Sequence, residues 1–117
     1  MLLAALATVV IASCYDGDTC TTTTGERIRL ACIDTPELVG KTADADPAKA
    51  ARDQLRGLVV GKKVGIRRIT KDLYGRTVAE LFVDGVNVGQ ELVRSDHAII
   101  YLKYARICSW TNNSRYE

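Results

Sequence analysis

Short stretches in which apolar and polar residues alternate make up most of the chain, and this period of two predicts half-buried β-strands. Most of these stretches are rich in valine, isoleucine and threonine, which strands favour. Turn sequences separate them, the clearest being Asp16-Gly17 and Asp84-Gly85. The predicted strands are Thr8–Ser13, Thr21–Thr24, Arg27–Ile33, Lys62–Thr70, Thr77–Val83 and a short strand end at Val86–Val88.

Helical spacing of apolar residues replaces the alternation in two places. The longer predicted helix runs over about Ala48–Val59, with Asp46 as N-cap and Pro47 at the first helical position, and Gly61 ends it. The second predicted helix spans Gly89–Arg94. The positions expected to face the core are Ala51, Leu55, Leu58, Val59, Leu92 and Val93.

The resulting order is three strands, a helix, two strands and a short helix. Five short strands with a helix between the third and the fourth are typical of the OB-fold, a small Greek-key barrel, and the strand pattern by itself also fits an SH3-like barrel. We therefore expect an α+β, mainly β fold. The polar stretch Leu38–Asp46 has neither period and predicts a loop. No internal repeat or linker was found, so residues 8–117 are predicted to form one domain.

The composition is that of an ordinary folded chain: of 117 residues, 47% are hydrophobic and 26% are charged. The formal net charge of +2 permits a nucleic-acid partner without requiring one. Met1–Ala7 is apolar, is too short to span a bilayer, and ends in an A-x-A sequence. It predicts the remnant of a signal peptide, with an early start of the first strand as the alternative. We expect a secreted or periplasmic protein.

The four cysteines include no CxxC pair, so the sequence gives no spacing for a zinc or thioredoxin-like site. An even number of separated cysteines fits disulfides in an exported chain better. Cys14 and Cys20 flank the Asp16-Gly17 turn, and a bridge between them is predicted. Cys32 and Cys108 are then left as the second predicted pair.

Groups capable of chemistry concentrate in Arg29–Glu37, where a strand ends in Asp-Thr-Pro-Glu. Pro36 has a fixed φ and disfavours helical geometry in the residue before it, so the acidic groups lie on a bend. A further carboxylate, Asp18, ends the earlier hairpin, and two such ends can converge in a small barrel. Two carboxylates completed by water suit calcium or magnesium, although each aspartate taken alone is an ordinary turn residue.

Four motifs, taken together and in this order, resemble the staphylococcal-nuclease-like, or thermonuclease, family. The motifs are YDGDT at Tyr15–Thr19, IRLACIDTPE at Ile28–Glu37, DLYGR at Asp72–Arg76 and ELVRSDHA at Glu91–Ala98, and the resemblance extends from about Thr8 to Tyr104. It implies an OB-fold barrel and a calcium-dependent endonuclease acting on DNA and RNA. Water would attack phosphorus in line with the 5′-oxygen and leave 3′-phosphate ends.

The resemblance also implies which residues hold the metal and the phosphate. Calcium would be bound by the carboxylates of Asp18 and Asp34 and by the backbone carbonyl of Thr35. Arg29 and Arg76 would contact the scissile phosphate, because a guanidinium keeps its charge and can bind two oxygens at once. Taken without the motifs, both arginines are ordinary exposed charges of a strand and a hairpin.

The resemblance also implies contacts of three further residues with the attacking water and the nucleotide. Glu37 would contact the attacking water, either as general base or by orienting it. Tyr74 and Tyr104 would contact the nucleotide, since exposed aromatic rings stack on unpaired bases. Packing at the rim is the alternative for Tyr104, and Tyr101 is close enough in sequence to take its role.

The chain also departs from the family's pattern. Leu73 stands where the best-known member has a basic neighbour of the phosphate, and Asp96 stands at a helix end usually occupied by glycine. The C-terminal helix of the family is shortened or absent. The basic run of Arg67, Arg68 and Lys71 is either a solvated strand edge or an attraction for a nucleic-acid backbone.

Two rival functions were weighed against the enzyme. The first is a catalytically inactive nuclease-like module that binds nucleic acid or protein, and the second is a structural module of a larger assembly. The acidic and arginine residues that such modules lose are all present, which favours the enzyme. We expect a monomer that needs no stable protein partner and prefers single-stranded substrate.

Overall fold

The computed structural model describes residues 6–38 and 45–113. Its strands are β1 (Ala7–Cys14), β2 (Thr19–Thr22), β3 (Arg27–Leu30), β4 (Ile33–Asp34), β5 (Lys63–Lys71), β6 (Thr77–Val83), β7 (Val86–Asn87) and β8 (Ile99–Ile100). The α-helices are α1 (Ala45–Val59) and α2 (Val88–Arg94), and two 3₁₀ turns follow at Leu102–Ile107 and Ser109–Asn113.

Within the described residues, five strands close into a barrel. β1 pairs in antiparallel fashion with β2 on one side and β5 on the other, β2 pairs with β3, and β5 pairs with β6. A parallel contact between β3 and β6, from Ile28 opposite Thr77 to Leu30 opposite Ala79, completes the ring. With α1 placed between the third and fourth barrel strands, this is the predicted mainly β, OB-type barrel, and that prediction is confirmed.

The barrel interior is filled by the inward residues of the strands and by one face of α1. Val64 and Ile66 of β5 are buried, as the alternation predicts. Ala51, Leu55 and Val59 of α1 are fully buried and belong to the same core. Their spacing places them on one face of the helix, which explains why α1 stays on the barrel despite its polar outer face.

The predicted third strand, Arg27–Ile33, is wrong in its length, because the structure divides it into β3 and β4. The division falls at Ala31 and Cys32, where Cys32 has a left-handed backbone with φ of 71°. The Ala31 amide still bonds to the Ala79 carbonyl, and the chain then leaves the barrel. β4 pairs instead with β8, with Asp34 opposite Ile99.

Other boundaries also differ from prediction, most clearly at α1 and β2. α1 starts at Ala45, so Asp46 lies in its first turn and is not the N-cap; Pro47 is accommodated because a first-turn amide needs no helical acceptor. β2 ends at Thr22, because the amides of Gly25 and Glu26 bond to the Thr22 carbonyl and hydroxyl and start the turn early. Most of the predicted loop Leu38–Asp46 lies outside the described residues.

Both predicted disulfides are present. Cys14 and Cys20 face each other across β1 and β2, and Cys32 is bonded to Cys108. The second bridge ties the C-terminal 3₁₀ turns to the bend after β3, where Trp110 becomes buried. Among the described residues, these turns stand where the family's C-terminal helix was expected to be shortened or absent.

The end of α2 has the left-handed residue expected there. Asp96 has φ of 64°, its amide bonds to the Val93 carbonyl, and the amide of His97 bonds to the Leu92 carbonyl. This is a Schellman motif, in which glycine is the usual residue at the Asp96 position.

Of the predicted signal remnant, Met1–Ala5 lies outside the described residues, whereas Ala7 begins β1 and pairs with Ile66. Across the described ranges, the longest helix is too short and too polar to cross a membrane.

Candidate active site

The predicted metal and phosphate residues meet at one rim of the barrel. Asp18 follows the β1–β2 turn, Arg29 lies in β3, and Asp34 ends β4. The Arg29 guanidinium lies between the two acids, with Nη1 3.4 Å from Asp18 Oδ2 and Nη2 3.8 Å from Asp34 Oδ1. One arginine therefore lies close to two carboxylates that come from different turns of the chain.

Arg29 is fixed in place by backbone acceptors. Its Nη1 donates to the carbonyl of Leu30 at 2.7 Å and to that of Ile33 at 3.0 Å. The bend at Ala31–Cys32 makes this possible, because it turns the Ile33 carbonyl back toward the guanidinium. The interruption of the predicted strand is thus what positions Arg29.

Thr35 connects the two carboxylates as well. Its hydroxyl donates to Asp18 Oδ2 at 3.1 Å, and its backbone amide donates to Asp34 Oδ1 at 3.0 Å. Thr35 is buried, whereas the Asp34 carboxylate is largely exposed. The sequence assigned Thr35 a role through its carbonyl; the structure adds an orienting role through its hydroxyl and amide.

The environment of the Asp18 carboxyl disfavours its charged form, mainly because the group is buried. Burial raises its pKa from 3.8 to about 6, although nearby Arg29 lowers it. The Asp16 carboxylate raises the pKa further, and Asp16 also accepts a hydrogen bond from the Asp18 amide at 3.0 Å. A cation placed beside Asp18 would relieve this unfavourable charge.

Gly17 allows the turn that carries Asp18 to pack closely on α1. A Cβ atom at this position would lie 2.8 Å from the Ala51 Cβ and 3.0 Å from the Thr35 Cβ, closer than side chains normally approach. The glycine therefore sets the distance between the Asp18 turn, the Thr35 bend and the helix.

Arg76 reaches the same cleft from the β5–β6 hairpin. Its Nε donates to Asp72 Oδ2 at 2.7 Å, and its Nη1 donates to Thr19 Oγ1 at 3.3 Å. The Thr19 hydroxyl in turn donates to Asp18 Oδ1 at 3.1 Å. Thr19 thus links the Asp18 carboxylate to the second arginine.

An open cleft of about 290 Å³ contains the acidic and arginine side chains together. Glu37 is exposed and lines this cleft. The residues that share the lining with it include Asp18, Arg29, Asp34, Thr35 and Arg76. All six predicted metal and catalytic residues are therefore brought to one cleft.

A second cavity of about 460 Å³ adjoins the cleft and shares Arg29 and Arg76 with it. Tyr74 and Tyr104 both line this second cavity. The Tyr74 ring lies 5.5 Å from the Arg76 guanidinium carbon, and Tyr104 makes an edge-to-face contact with Tyr101 at 5.4 Å between ring centres. The predicted nucleotide-contacting tyrosines thus lie beside the arginines rather than among the acids.

Some residues of the site were not singled out from the sequence. Tyr15 and Asp16 line the acidic cleft, Thr19 bridges Asp18 and Arg76, and Asp72 orients Arg76. All four belong to the motifs YDGDT and DLYGR, so motif membership was the available signal.

The predicted basic run does not form a free cationic track. Arg67 pairs with Glu80 at 2.6 Å and donates to the Ile107 carbonyl, and Arg68 pairs with Glu26 at 2.7 Å. These guanidiniums are engaged by partners on neighbouring strands and on the C-terminal turn, which is the arrangement expected for a solvated strand edge. Attraction of a nucleic-acid backbone by this run stays a prediction.

The donor set of the cleft fits a hard cation. Asp18 and Asp34 provide carboxylate oxygens that converge on Arg29, and burial raises the pKa of Asp18, a cost to its charged form that a bound cation would offset. The described residues include no group of three or more His, Cys, Asp and Glu side chains able to enclose a metal. The cleft thus offers an open site, in which water and a phosphate oxygen would complete the coordination.

Fold and cleft together define a small barrel protein with an open carboxylate–arginine site at one rim. The family model described as "Staphylococcal nuclease homologue" matches residues 27–116, which is most of the chain. The chain belongs to the staphylococcal nuclease homologue family, as the motifs predicted.

Named relatives agree with this assignment. The chain is 37% identical over 79 residues to an "Uncharacterized endonuclease" of Escherichia coli, a match that covers 67% of this chain and 48% of that protein. It is 33% identical over 92 residues to "Staphylococcal-like nuclease CAN1" of Arabidopsis thaliana, covering 76% of this chain and 27% of that protein. The chain thus spans about half the length, or less, of these curated relatives.

Proposed function

We propose that this chain is a calcium-dependent endonuclease that hydrolyses phosphodiester bonds of DNA and RNA and leaves 3′-phosphate ends. The observation that supports this most is the Arg29 guanidinium between Asp18 and Asp34, in a cleft that Glu37 and Arg76 also line. Carboxylates for a cation, guanidiniums for a phosphate and a carboxylate for water then lie in one place. The names of the relatives, endonuclease and nuclease, point the same way.

Asp18, Asp34 and the Thr35 carbonyl would hold the calcium ion. When bound, that ion adds positive charge at the phosphate and makes a coordinated water more acidic. Thr35 keeps both carboxylates oriented through its hydroxyl and amide. Because the two carboxylates leave most coordination positions open, we expect weak binding that tightens when a phosphate oxygen joins.

The arginines act on the phosphate. Arg29 and Arg76 bind its non-bridging oxygens and stabilise the negative charge that accumulates as phosphorus becomes five-coordinate. Glu37 accepts a hydrogen bond from the attacking water and aligns or deprotonates it. The new P–O bond forms as the bond from phosphorus to the 5′-oxygen breaks, and Arg76 donates to the departing oxygen.

We expect a preference for single-stranded or frayed substrate. The cavity that contains Tyr74 and Tyr104 shares Arg29 and Arg76 with the acidic cleft, so a nucleotide bonded to the scissile phosphate would enter it. Stacking on such rings requires an unpaired base.

The deciding experiment is incubation of the purified chain with a single-stranded oligonucleotide, with calcium or with a chelator. We expect cleavage only with calcium, and products that lose a terminal phosphate on treatment with phosphatase. Cleavage in chelator would contradict the metal assignment. Binding without cleavage in calcium would favour the rival, an inactive nucleic-acid-binding module.

The role of Glu37 is tested by Glu37→Gln, with Glu91→Gln as a matched control. Glu91 pairs with Arg94 on α2, outside the cleft lining. Loss of a general base commonly costs about 100-fold or more in rate, so we expect a drop of that size for Glu37→Gln and none for the control. A Glu37→Gln variant with near-full rate would remove Glu37 from the mechanism.

The two disulfides also support our proposal that the protein is exported to an oxidising compartment. Intact mass before and after reduction, with alkylation of free thiols, tests this on protein isolated from its natural source. Four free thiols in that material would overturn the proposal.

A further inference from the structure

The tip of the β5–β6 hairpin presents two neighbouring apolar side chains to solvent. Leu73 is 100% exposed and Tyr74 is 73% exposed. A single exposed leucine on a protein surface is unremarkable by itself. This one lines the cavity of about 460 Å³ that also contains Arg29 and Arg76, so its exposure falls at the edge of the proposed phosphate site.

The hairpin tip is held rigidly by hydrogen bonds. The Asp72 carboxylate accepts from the amides of Tyr74 and Arg76, both at 2.9 Å, and the Gly75 amide bonds to the Asp72 carbonyl at 3.1 Å. Gly75 has φ of 78°, a conformation that suits glycine. Arg27 adds a hydrogen bond to the Tyr74 carbonyl. The tip thus keeps its direction without contacts from the Leu73 side chain.

Further apolar side chains line the same cavity. They are Tyr101, Tyr104 and Ile107, and each is more than a third exposed. The cavity volume is within the range of about 300–1,000 Å³ that is usual for small-molecule sites. An apolar lining beside a pair of arginines suits a nucleotide whose base packs in the cavity while its phosphate meets the guanidiniums.

We infer that Leu73 acts as a wedge, meaning an apolar side chain that enters beside a base and separates it from its stacked neighbour. Exposed leucines and other apolar side chains insert between base steps in this way in several nucleic-acid-binding proteins. Leu73 would then select unpaired strands and open the end of a duplex next to the scissile phosphate. This inference rests on the proposed function and names a residue that determines its substrate class.

The test compares three oligonucleotide substrates of one sequence: single-stranded, blunt duplex and forked duplex with unpaired tails. We expect Leu73→Ala to lower cleavage at the fork junction by about tenfold, because it loses the unstacking contact, and to lower single-strand cleavage by less than about threefold. Leu73→Met keeps an apolar side chain and should stay close to the parent. Val86→Ala is the matched control, since Val86 is 51% exposed beside the other hairpin turn, between β6 and β7.

A binding measurement separates failure of the wedge from failure of the proposed function. In chelator, a 2-aminopurine base at the fork junction should brighten when the parent chain binds and should brighten much less with Leu73→Ala. If the parent chain cleaves nothing but brightens the probe, the nuclease proposal fails and the wedge stands. Equal effects of Leu73→Ala on all three substrates, or no effect on junction cleavage and fluorescence, would overturn the wedge.

Discussion

Two buried carboxylates of the barrel, Glu80 and Asp18, have similar exposure but different hydrogen-bond and ion-pair partners. Glu80 accepts hydrogen bonds from Arg67 at 2.6 Å, Asn87 at 3.1 Å and Trp110 at 3.2 Å. Asp18 has Arg29 at 3.4 Å, two hydroxyl donors, and a second carboxylate close by. Glu80 is 6% exposed and Asp18 is 7% exposed, so burial alone does not distinguish them.

The difference is in how close the arginine lies and in the neighbouring acid. Glu80 has three donors, on β5, at the residue before α2 and in the C-terminal turn, and it thereby joins those elements. Asp18 accepts from two hydroxyls, has Arg29 Nη1 only as near as 3.4 Å, lies beside Asp16 and opens onto a cleft. We interpret Glu80 as architectural and Asp18 as a buried carboxylate whose charged form a cation would favour.

The largest effect is expected from the arginines of the two regions. Arg76→Ala should lower kcat/KM by about 100- to 1000-fold, because electrostatic donors to a transition state are commonly worth about 3–4 kcal/mol. Arg67→Ala should leave kcat/KM within about twofold, because Arg67 pairs with Glu80 and lines neither cavity of the site. Steady-state cleavage of a single-stranded oligonucleotide gives kcat/KM for both variants. Equal losses in the two variants would contradict the distinction between the Asp18 and Glu80 regions.

Removing the satisfied carboxylate should destabilise the fold. Glu80→Ala leaves Arg67, Asn87 and Trp110 without their acceptor. Because Arg67 is 43% exposed and water can reach it, we expect a cost of about 2–3 kcal/mol, below that of a fully buried ion pair. Urea unfolding followed by Trp110 fluorescence measures the change in the free energy of unfolding. Glu80→Gln retains one acceptor oxygen and should fall between the parent and Glu80→Ala; a negligible loss in both variants would contradict an architectural role.

Neutralising Asp18, whose charged form burial disfavours, should instead stabilise the fold. The pKa of Asp18 is about 6 in the folded state against an ordinary 3.8, so the folded state binds more protons between those values and the stability contributed by Asp18 falls as pH rises from about 4 through 6. Asp18→Asn removes this loss and should raise the free energy of unfolding at pH 7 without calcium by about 3 kcal/mol.

The control for this prediction is the pH dependence itself. The increase in the free energy of unfolding caused by Asp18→Asn should shrink toward pH 4. The variant should also lose cleavage activity, and calcium should no longer stabilise it as it stabilises the parent. Destabilisation of Asp18→Asn at pH 7 by as much as Glu80→Ala would mean that both carboxylates are architectural.

The smallest effect concerns a third carboxylate, Glu26, which pairs through both oxygens with Arg68 and accepts from Thr77. Hydrogen bonding from Arg68 lowers the pKa of Glu26 from 4.5 to about 2. Its stabilising contribution is therefore present above about pH 4.5 and is lost as pH falls through 2, the reverse of Asp18.

Because the Glu26–Arg68 pair is partly exposed, Glu26→Gln should cost only about 1 kcal/mol in the free energy of unfolding at pH 7. Urea unfolding at pH 7 and pH 3 measures it, and a cost that does not shrink at pH 3 would be inconsistent with this view.

Prediction from sequence succeeded where the information is local. The alternation of β5 and the helical spacing of Ala51, Leu55 and Val59 were correct because periodic burial depends only on which residues face one direction. It failed at the Ala31–Cys32 bend, because neither residue type favours a left-handed or interrupted strand. There, pairing of β3 with β6 and the Cys32–Cys108 bridge override local preference.

The site was predictable residue by residue but not as an arrangement. The four motifs nominated Asp18, Arg29, Asp34, Glu37 and Arg76, and the structure brings all five to one cleft. The bridging by Thr35 and Thr19 required coordinates, because each donates to a carboxylate on another turn or strand. The ion pairs of the basic run were not predictable for the same reason: the partners of Arg67 and Arg68 are remote in sequence.

By itself, the sequence determined the order of the five barrel strands and the two α-helices, the family, the disulfide partners and the identity of the reactive groups, since these follow from period and motif. Only the tertiary structure decided which buried carboxylates are closely paired with an arginine and which are not. That distinction depends on distances between residues far apart in the chain, such as Asp18 to Arg29 and Glu80 to Trp110, and on burial, which sets the cost of leaving a charge uncompensated. Leu73, an unexceptional leucine in the sequence, gained meaning in the same way, from the cavity that its hairpin borders.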